Sequence, residues 1–549
     1  MKLHVALCMA VFTVLFAVPT WGQIQPPDTG KMSWDLYQLV MTGQRKRAAG
    51  QEVPNITVLL VTSRPLGEAE AKELEEKGYK VLGGFGRLVL VEAPADYFAS
   101  EEVGLDTLGF VRNASLPPDQ ILNGELPQPR TEGTAVIQAH LLWDQGFFGQ
   151  DIKIAVIDAG FNPENPVLSS MEPAPIYILV TPSLSATSYS VAKGKVGSVS
   201  PHGTSCAIIV HDVAPQAQLY LLSYPSWAGP VGWLCALHYA VHHLKVQVVV
   251  SAVEFSRPTC HADGTGPLNE AITEILEGTS TLLVLSAGNW AGNSGSDRTH
   301  YHATFTDADA DSQHDFTAAS DPWDRNTLIF AAKKDDRVLI MLEWNAWNVQ
   351  ESRYDLDLYL YDAVYHEKIA VSLTTQYGKD TDPYEMIQIK LPYSGRFAIS
   401  ITDAARTKGG SSQGVSFHLY LYNADGAFSY IEHYTPCSSV REAATHPQVI
   451  TVGAINVRNG EVRPYSSRGP TGSGLLKPEL YAPDGVTGTE YEKFYGTSAA
   501  APYAAGALGL LLERSPTLTR QEALALFMTL GKDTCQNDIC PIDLQLALK

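Results

Sequence analysis

The chain has 549 residues, 45% of them hydrophobic and 18% charged, with 44 Gly and 33 Pro. That length exceeds one ordinary core, and the composition suits a loop-rich globular protein of two to four domains, α/β or β in class. A formal charge of −20 argues against nucleic acid and anionic membrane surfaces as partners, since both would repel it, and permits cation sites where carboxylates crowd together.

Lys2 and His4 precede an apolar stretch from Val5 to Val18, followed by Pro19-Thr20-Trp21-Gly22-Gln23. The stretch is too short to span a bilayer comfortably and has the build of a secretory signal cleaved near Gly22. Residues 1–22 are expected to leave. The mature protein is then secreted, extracellular or periplasmic, with no membrane association. Cys8 leaves with the signal, and Cys206, Cys235, Cys260, Cys437, Cys535 and Cys540 remain. An even count in an exported chain suggests disulfides, with Cys535–Cys540 the expected pair, although six cysteines allow fifteen connectivities. No Cys-x-x-Cys or Cys/His spacing marks a metal site.

Residues 24–52 are polar and irregular. Ile56 to Val61 then reads as a strand, Leu66 to Lys77 as a helix, and Lys80 to Leu82 and Arg87 to Glu92 as strands. A short helix is expected near Ala95 to Glu102, and Gly109-Phe110-Val111 closes a β-α-β-β-α-β order, that of a small split-βαβ sandwich. Asn113 to Gly133 holds four prolines and few apolar residues and reads as an exposed linker. These elements fill residues 23–133.

From Thr134 strands alternate with helices. Ile152 to Ile157 is almost continuously apolar, as strands buried on both faces are, and Leu219 to Leu222, Val246 to Ser251 and Thr281 to Ser286 repeat the signature. The fold class is α/β, a parallel sheet flanked by helices, over 134–319 and again over 426–549. Residues 320–425 break the rhythm with short strands at regular spacing. The strict polar–apolar alternation of Asp355 to Tyr361 marks a strand wet on one face. An antiparallel β-sandwich inserted into the α/β domain is predicted.

Four polar residues carry chemistry. A serine hydroxyl is a poor nucleophile at neutral pH; it needs a base within reach, and the base needs an orienting carboxylate. Asp158 follows a buried strand at the carboxyl end, where α/β sheets place functional groups. His202 opens the small-residue stretch Pro201-His202-Gly203-Thr204, and Ser498 begins a helix of Ala, Gly and Leu whose N-terminus would favour an oxyanion. Asn289 ends the strand Leu282 to Gly288, with its amide free to project into a cleft. Alone, each has a plain structural reading: a turn cap, a surface histidine, an N-cap, a turn residue.

Together the segments Val156-Ile157-Asp158-Ala159-Gly160, His202-Gly203-Thr204, Ser286-Ala287-Gly288-Asn289 and Gly496-Thr497-Ser498-Ala499-Ala500-Ala501-Pro502 resemble the subtilisin-like serine proteases, whose order is also Asp, His, Ser. Val449 to Ala454, Ser467-Arg468-Gly469-Pro470 and Lys477-Pro478-Glu479-Leu480 resemble the same family's core. The resemblance implies a serine endopeptidase acting on polypeptides through an acyl-enzyme. Asp158, His202 and Ser498 would be the triad, Asn289 the oxyanion donor, and no metal or other cofactor would be required. Residues 23–133 would be a propeptide and linker, with the propeptide an intramolecular inhibitor that makes the product a zymogen. The insert resembles a pre-peptidase C-terminal β-sandwich.

Two departures stand out. Ser205-Cys206-Ala207-Ile208 replaces the family's usual His-Val-Ala-Gly, which alters helix packing. Val250-Ser251-Ala252-Val253-Glu254 stands where the substrate-binding strand is expected, so Ser251, Ala252, Val253, Ser286, Ala287 and Gly288 are taken as substrate-binding. Val253 in place of Gly is expected to narrow the pocket toward small side chains. The acidic run Thr306 to Asp315 has carboxylates at alternate residues, as calcium loops do, but lacks the EF-hand Gly and Glu; structural calcium and a solvated acidic turn stay open. Two other functions compete, a catalytically silent binding scaffold and a serine esterase, the latter disfavoured because Gly-x-Ser-x-Gly is absent around Ser498.

Overall fold

The computed structural model describes residues 130–182, 189–255, 261–346, 352–377, 383–527, 542 and 544, together with 46–47, 53, 55–62, 68–85, 88–94, 97 and 111–115. The chain forms two compact units, Met1–Gln128 and Pro129–Lys549. The secretory signal and the Cys535–Cys540 pair lie outside the described residues, as does the expected second helix of the first unit, apart from Tyr97.

In the first unit, strands β1 (Asn55–Thr62), β2 (Lys80–Phe85), β3 (Leu88–Pro94) and β4 (Val111–Ser115) form an antiparallel sheet in the order β2-β3-β1-β4. Alternate residues Ile56 and Val58 on β1, and Val91 and Ala93 on β3, are buried, as a half-buried pleat requires. Helix Glu68–Glu76 adds the buried Leu74. Strand β4 takes Asn113 to Ser115 out of the expected linker.

The second unit is built on an eight-stranded sheet. Its strands are β5 (Lys153–Asp158), β6 (Ile176–Pro182), β7 (Tyr189–Lys193), β8 (Gln218–Ser223), β9 (Val248–Ser251), β10 (Leu282–Ser286), β20 (Ile450–Asn456) and β21 (Leu480–Asp484). The order is β21-β20-β10-β9-β5-β8-β6-β7, and every pairing is parallel except β6 with β7. Ala155 and Ile157 of β5 face a core with Trp233 and Leu237 of helix Gly229–His238 and Leu268 and Ile272 of helix Pro267–Leu276. Ile154 points to the other side, where a Cβ added at Gly509 of helix Thr497–Arg514 would lie 2.9 Å from its Cδ1. Burial on both faces explains the unbroken apolar run. No helix among the described residues is long and apolar enough to cross a membrane.

Two antiparallel sheets fill the stretch between Arg298 and Ile431. One runs β11 (Arg298–Thr304), β18 (Ser416–Asn423), β13 (Arg337–Trp344), β16 (Tyr384–Lys390). The other runs β15 (Lys368–Ser372), β14 (Leu356–Asp362), β17 (Gly395–Asp403), β12 (Leu328–Ala332), β19 (Tyr430–Ile431). Leu356, Leu358 and Leu360 pack with Val338, Ile340 and Phe417 in the core they share. The alternate residues Leu339, Met341 and Tyr420 turn the other way and pack on Trp290, next to Asn289. The first sheet is therefore buried on both faces. The paired strands begin earlier than residue 320, because β11 reads Arg-Thr-His-Tyr-His-Ala-Thr and carries no apolar alternation.

Candidate active site

The residues singled out from the sequence gather at the carboxyl edge of the large sheet, as ligand sites of open α/β sheets do. Asp158 is the last residue of β5, paired in register with Ser223 of β8, and is buried. Its Oδ1 accepts Ala159 N–H at 2.8 Å, and His202 Nδ1 donates to its Oδ2 at 2.7 Å. His202 is the second residue of helix Pro201–Val213, which Pro201 opens and Ser200 caps. A Cβ at Gly203 would lie 2.2 Å from Gly160 O and 2.8 Å from Asp158 Cβ, so only glycine lets this helix close on the strand. Burial pulls the His202 imidazole down; the charge and hydrogen bond of Asp158 outweigh it and leave the pKa above its ordinary value, with Arg298 opposing.

Ser498 is the second residue of helix Thr497–Arg514, behind Gly496 at φ 98°. Three bonds fix this helix start: Thr497 N and Oγ1 donate to Asn289 Oδ1 at 3.0 and 3.2 Å, and Gly288 N donates to Thr497 Oγ1 at 3.1 Å. With its carbonyl oxygen so engaged, Asn289 keeps both Nδ2 hydrogens for another acceptor. Ser498 Oγ donates to Ala252 O at 3.5 Å. No hydrogen bond joins it to His202 among the described residues, although both line one cavity of about 130 Å³. Bonds between a nucleophile and its base often tighten only when substrate is present.

Of the expected substrate-binding residues, Ala252, Ser286 and Gly288 line this cavity. The side chains of the other three do not. Ser251 is buried, donating its hydroxyl to Ile157 O and accepting from Trp233 Nε1. Ala287 packs with Val440 and Ala444. Val253, expected to narrow the pocket, lines an adjoining cavity of about 10 Å³ with Trp233, Phe255 and Arg441. Ala252 lines only the first cavity and Val253 only the second, while Glu254 and Ser286 line both. Glu254, at the end of the expected substrate strand but not taken as substrate-binding, and Arg298, which the sequence pattern gave no sign of, both line the cavity. Arg298 Nη1 donates to Glu254 Oε2 at 3.1 Å, Trp290 Nε1 donates to the same oxygen at 3.1 Å, and the guanidinium lies over Trp290 and Tyr422.

Away from this edge, the carboxylates of Asp307, Asp309 and Asp311 lie within 4.8 Å of one another. Arg406 bonds Asp307, Arg325 bonds Asp309 and Asn326 bonds Asp311, so cationic and amide groups already meet these charges. Cys206 and Cys235 are free thiols and Cys437 is disulfide-bonded. The expected linker also ends sooner than Gly133. Thr131 N donates to buried Asp212 Oδ2 at 2.7 Å, and Gly133 is packed so closely on Tyr503 that an added Cβ would fall 2.1 Å from its Cζ.

Comparison with known proteins agrees with this arrangement. Residues 432–538 match the subtilase family. An aligned stretch of 105 residues is 35% identical to the serine protease AprX of Bacillus subtilis (strain 168), covering 14% of this chain and 24% of that protein; the match thus spans about a quarter of the relative's length. Among solved structures, the CspB protease of Clostridium perfringens superposes with a TM-score of 0.53 at 14% identity, over 76% of this chain and 98% of that one, a likeness of fold. MycP1 with its N-terminal propeptide removed gives a TM-score of 0.37 at 16% identity, over 76% and 96%.

Proposed function

We propose that this chain, which matches the subtilase family over residues 432–538, is a subtilase and a secreted serine endopeptidase made as a zymogen. The observation that carries the reading is the 2.7 Å bond between buried Asp158 and His202, on the rim of one cavity with Ser498 and Asn289. In the reaction, Ser498 Oγ attacks a peptide carbonyl as His202 Nε2 takes its proton. The new C–O bond forms, the C–N bond breaks, and His202 passes the proton to the leaving amine. Water, deprotonated by the same imidazole, then releases the acyl group. Asp158 holds the ring and balances its charge while protonated. Asn289 Nδ2 binds the oxyanion; removing the equivalent side-chain donor from subtilisin costs roughly 10²–10³ in turnover. The chemistry requires no cofactor.

Residues 23–133 act as propeptide and linker, with the propeptide as inhibitor. Because Thr131 and Gly133 are anchored to Asp212 and Tyr503, the maturation cut falls ahead of Thr131. Incubating the purified full chain beside its Ser498→Ala form, and sequencing the new N-terminus, tests the reading. A cut between residues 116 and 130 made by the wild type alone is expected; an intact wild type, or equal cutting of both, removes the zymogen claim.

A further inference from the structure

The wall of the cavity facing Ser498 carries one full positive and one full negative charge. Glu254 Oε1 lies so close to Gly288 that a Cβ there would come within 2.3 Å of it. The carboxylate is held there by Trp290 Nε1 at 3.1 and 3.3 Å and by Arg298 Nη1 at 3.1 Å. Trp290 is the residue after Asn289, so the same segment that presents the amide also anchors Glu254. Arg298 comes from β11, the first strand of the inserted sandwich, and its ring contacts with Trp290 and Tyr422, at 5.7 and 4.9 Å, hold it over the cavity. Its Nε is buried, 3.4 Å from Asp297 Oδ2 but without a hydrogen bond. The insert therefore supplies half of the charged wall.

An acyl carbon on Ser498 with its oxygen at Asn289 places its own side chain beside Ala252, Gly288 and Glu254. We infer that this pocket selects a short, uncharged, hydrogen-bonding side chain (Ser, Thr or Asn, with Ala and Gly accepted) on the residue whose carbonyl is attacked, and that the Glu254–Arg298 pair sets that choice. The inference rests on the endopeptidase reading. A cationic side chain meets Arg298 and an anionic one meets Glu254, and like charges at close range in a partly buried site are strongly unfavourable. A large apolar side chain fails for another reason. It would fill about 130 Å³ and seal the ion pair from water without giving it new partners, leaving polar groups desolvated. A short hydroxyl or amide fits the volume and offers both donor and acceptor to Glu254, Arg298 and Ser286.

The test is cleavage of a proteome-derived peptide library, with sites read by mass spectrometry, by the wild type, Arg298→Gln and Glu254→Gln. Each is first titrated with a fluorophosphonate so that rates refer to competent serine. The wild type should cut after Ser, Thr, Asn, Ala and Gly. Arg298→Gln should enrich Lys and Arg at that position by about tenfold, and Glu254→Gln should enrich Asp and Glu by a similar factor, roughly the effect of one unbalanced charge in a site of intermediate dielectric. Opposite shifts support the inference. Wild-type cutting dominated by aromatic, Leu, Lys or Arg residues, or identical profiles in the two variants, overturns it while leaving the protease reading intact. If one variant does not titrate, the other decides alone by the presence or absence of its shift. A wild type that neither titrates nor cuts overturns the protease reading, and the pocket's preference with it.

Discussion

Asp484 accepts a hydrogen bond from Gly496 N at 2.9 Å, two residues ahead of Ser498. Asp484 ends β21, is buried, and is also bonded by Arg463 and by Tyr465 Oη. This carboxylate fixes the turn that feeds the Ser498 helix, at a glycine whose φ of 98° offers little other restraint. Removing it takes from Arg463 its only ion-pair partner among the described residues. Asp484→Ala should therefore destabilise by ~3–5 kcal/mol, and Tyr465→Phe, which removes one hydrogen bond to a carboxylate, by about 1.5–3 kcal/mol. Thermal unfolding of the two variants gives the ranking; an Asp484→Ala protein that melts with the wild type would show the clamp to be idle.

Gly203 sets the spacing of acid and base. An alanine methyl would meet Gly160 O and Asp158 Cβ inside van der Waals contact, and the helix must back away from the strand, lengthening the 2.7 Å bond. A displacement of about 1 Å in a catalytic group costs on the order of 10²-fold. Gly203→Ala is expected to lower kcat by that factor with little change in KM. A variant with wild-type kcat would mean that the contact is absorbed elsewhere.

The pH profile follows from the charges around His202. As the proposed base, His202 must be neutral, so activity is expected above its pKa in the folded protein and lost as pH falls through it. Burial lowers that pKa, but Asp158 raises it more, and the net is above 6.5; the acid limb of kcat/KM should thus have its midpoint above 6.5. Arg298 opposes the rise, so Arg298→Gln should move the limb to higher pH and Asp158→Asn to lower pH. Rate profiles of the three proteins check the signs, and a downward shift in Arg298→Gln would contradict the electrostatic picture.

The gathering of Asp158, Asn289 and Ser498 at one edge of the sheet was legible because each stands where a buried apolar strand ends or a small-residue helix begins, and such places show in sequence. Fold class was legible for the same reason: β5, β9 and β10 are buried on both faces and read as unbroken apolar runs. The substrate wall was not. Ser251 lies on the expected strand, but its hydroxyl is consumed inside the core by Ile157 O and Trp233. Val253 lines only the smaller cavity while Glu254 lines both, and where these side chains fall depends on the exact end of β9. Arg298 sits on a strand without apolar periodicity, far from Glu254 in sequence, and only docking of the sandwich on Trp290 brings the pair together. Nothing local in the sequence announces such a contact.

Whether Ser498 is an activated nucleophile is decided by labelling the purified protein with a fluorophosphonate probe. One adduct on Ser498 is expected, absent in Ser498→Ala and strongly reduced in His202→Ala, together with casein hydrolysis lost in the same variants. A folded, processed wild type that takes no label, or one that is labelled equally after Ser498→Ala, would contradict the assignment.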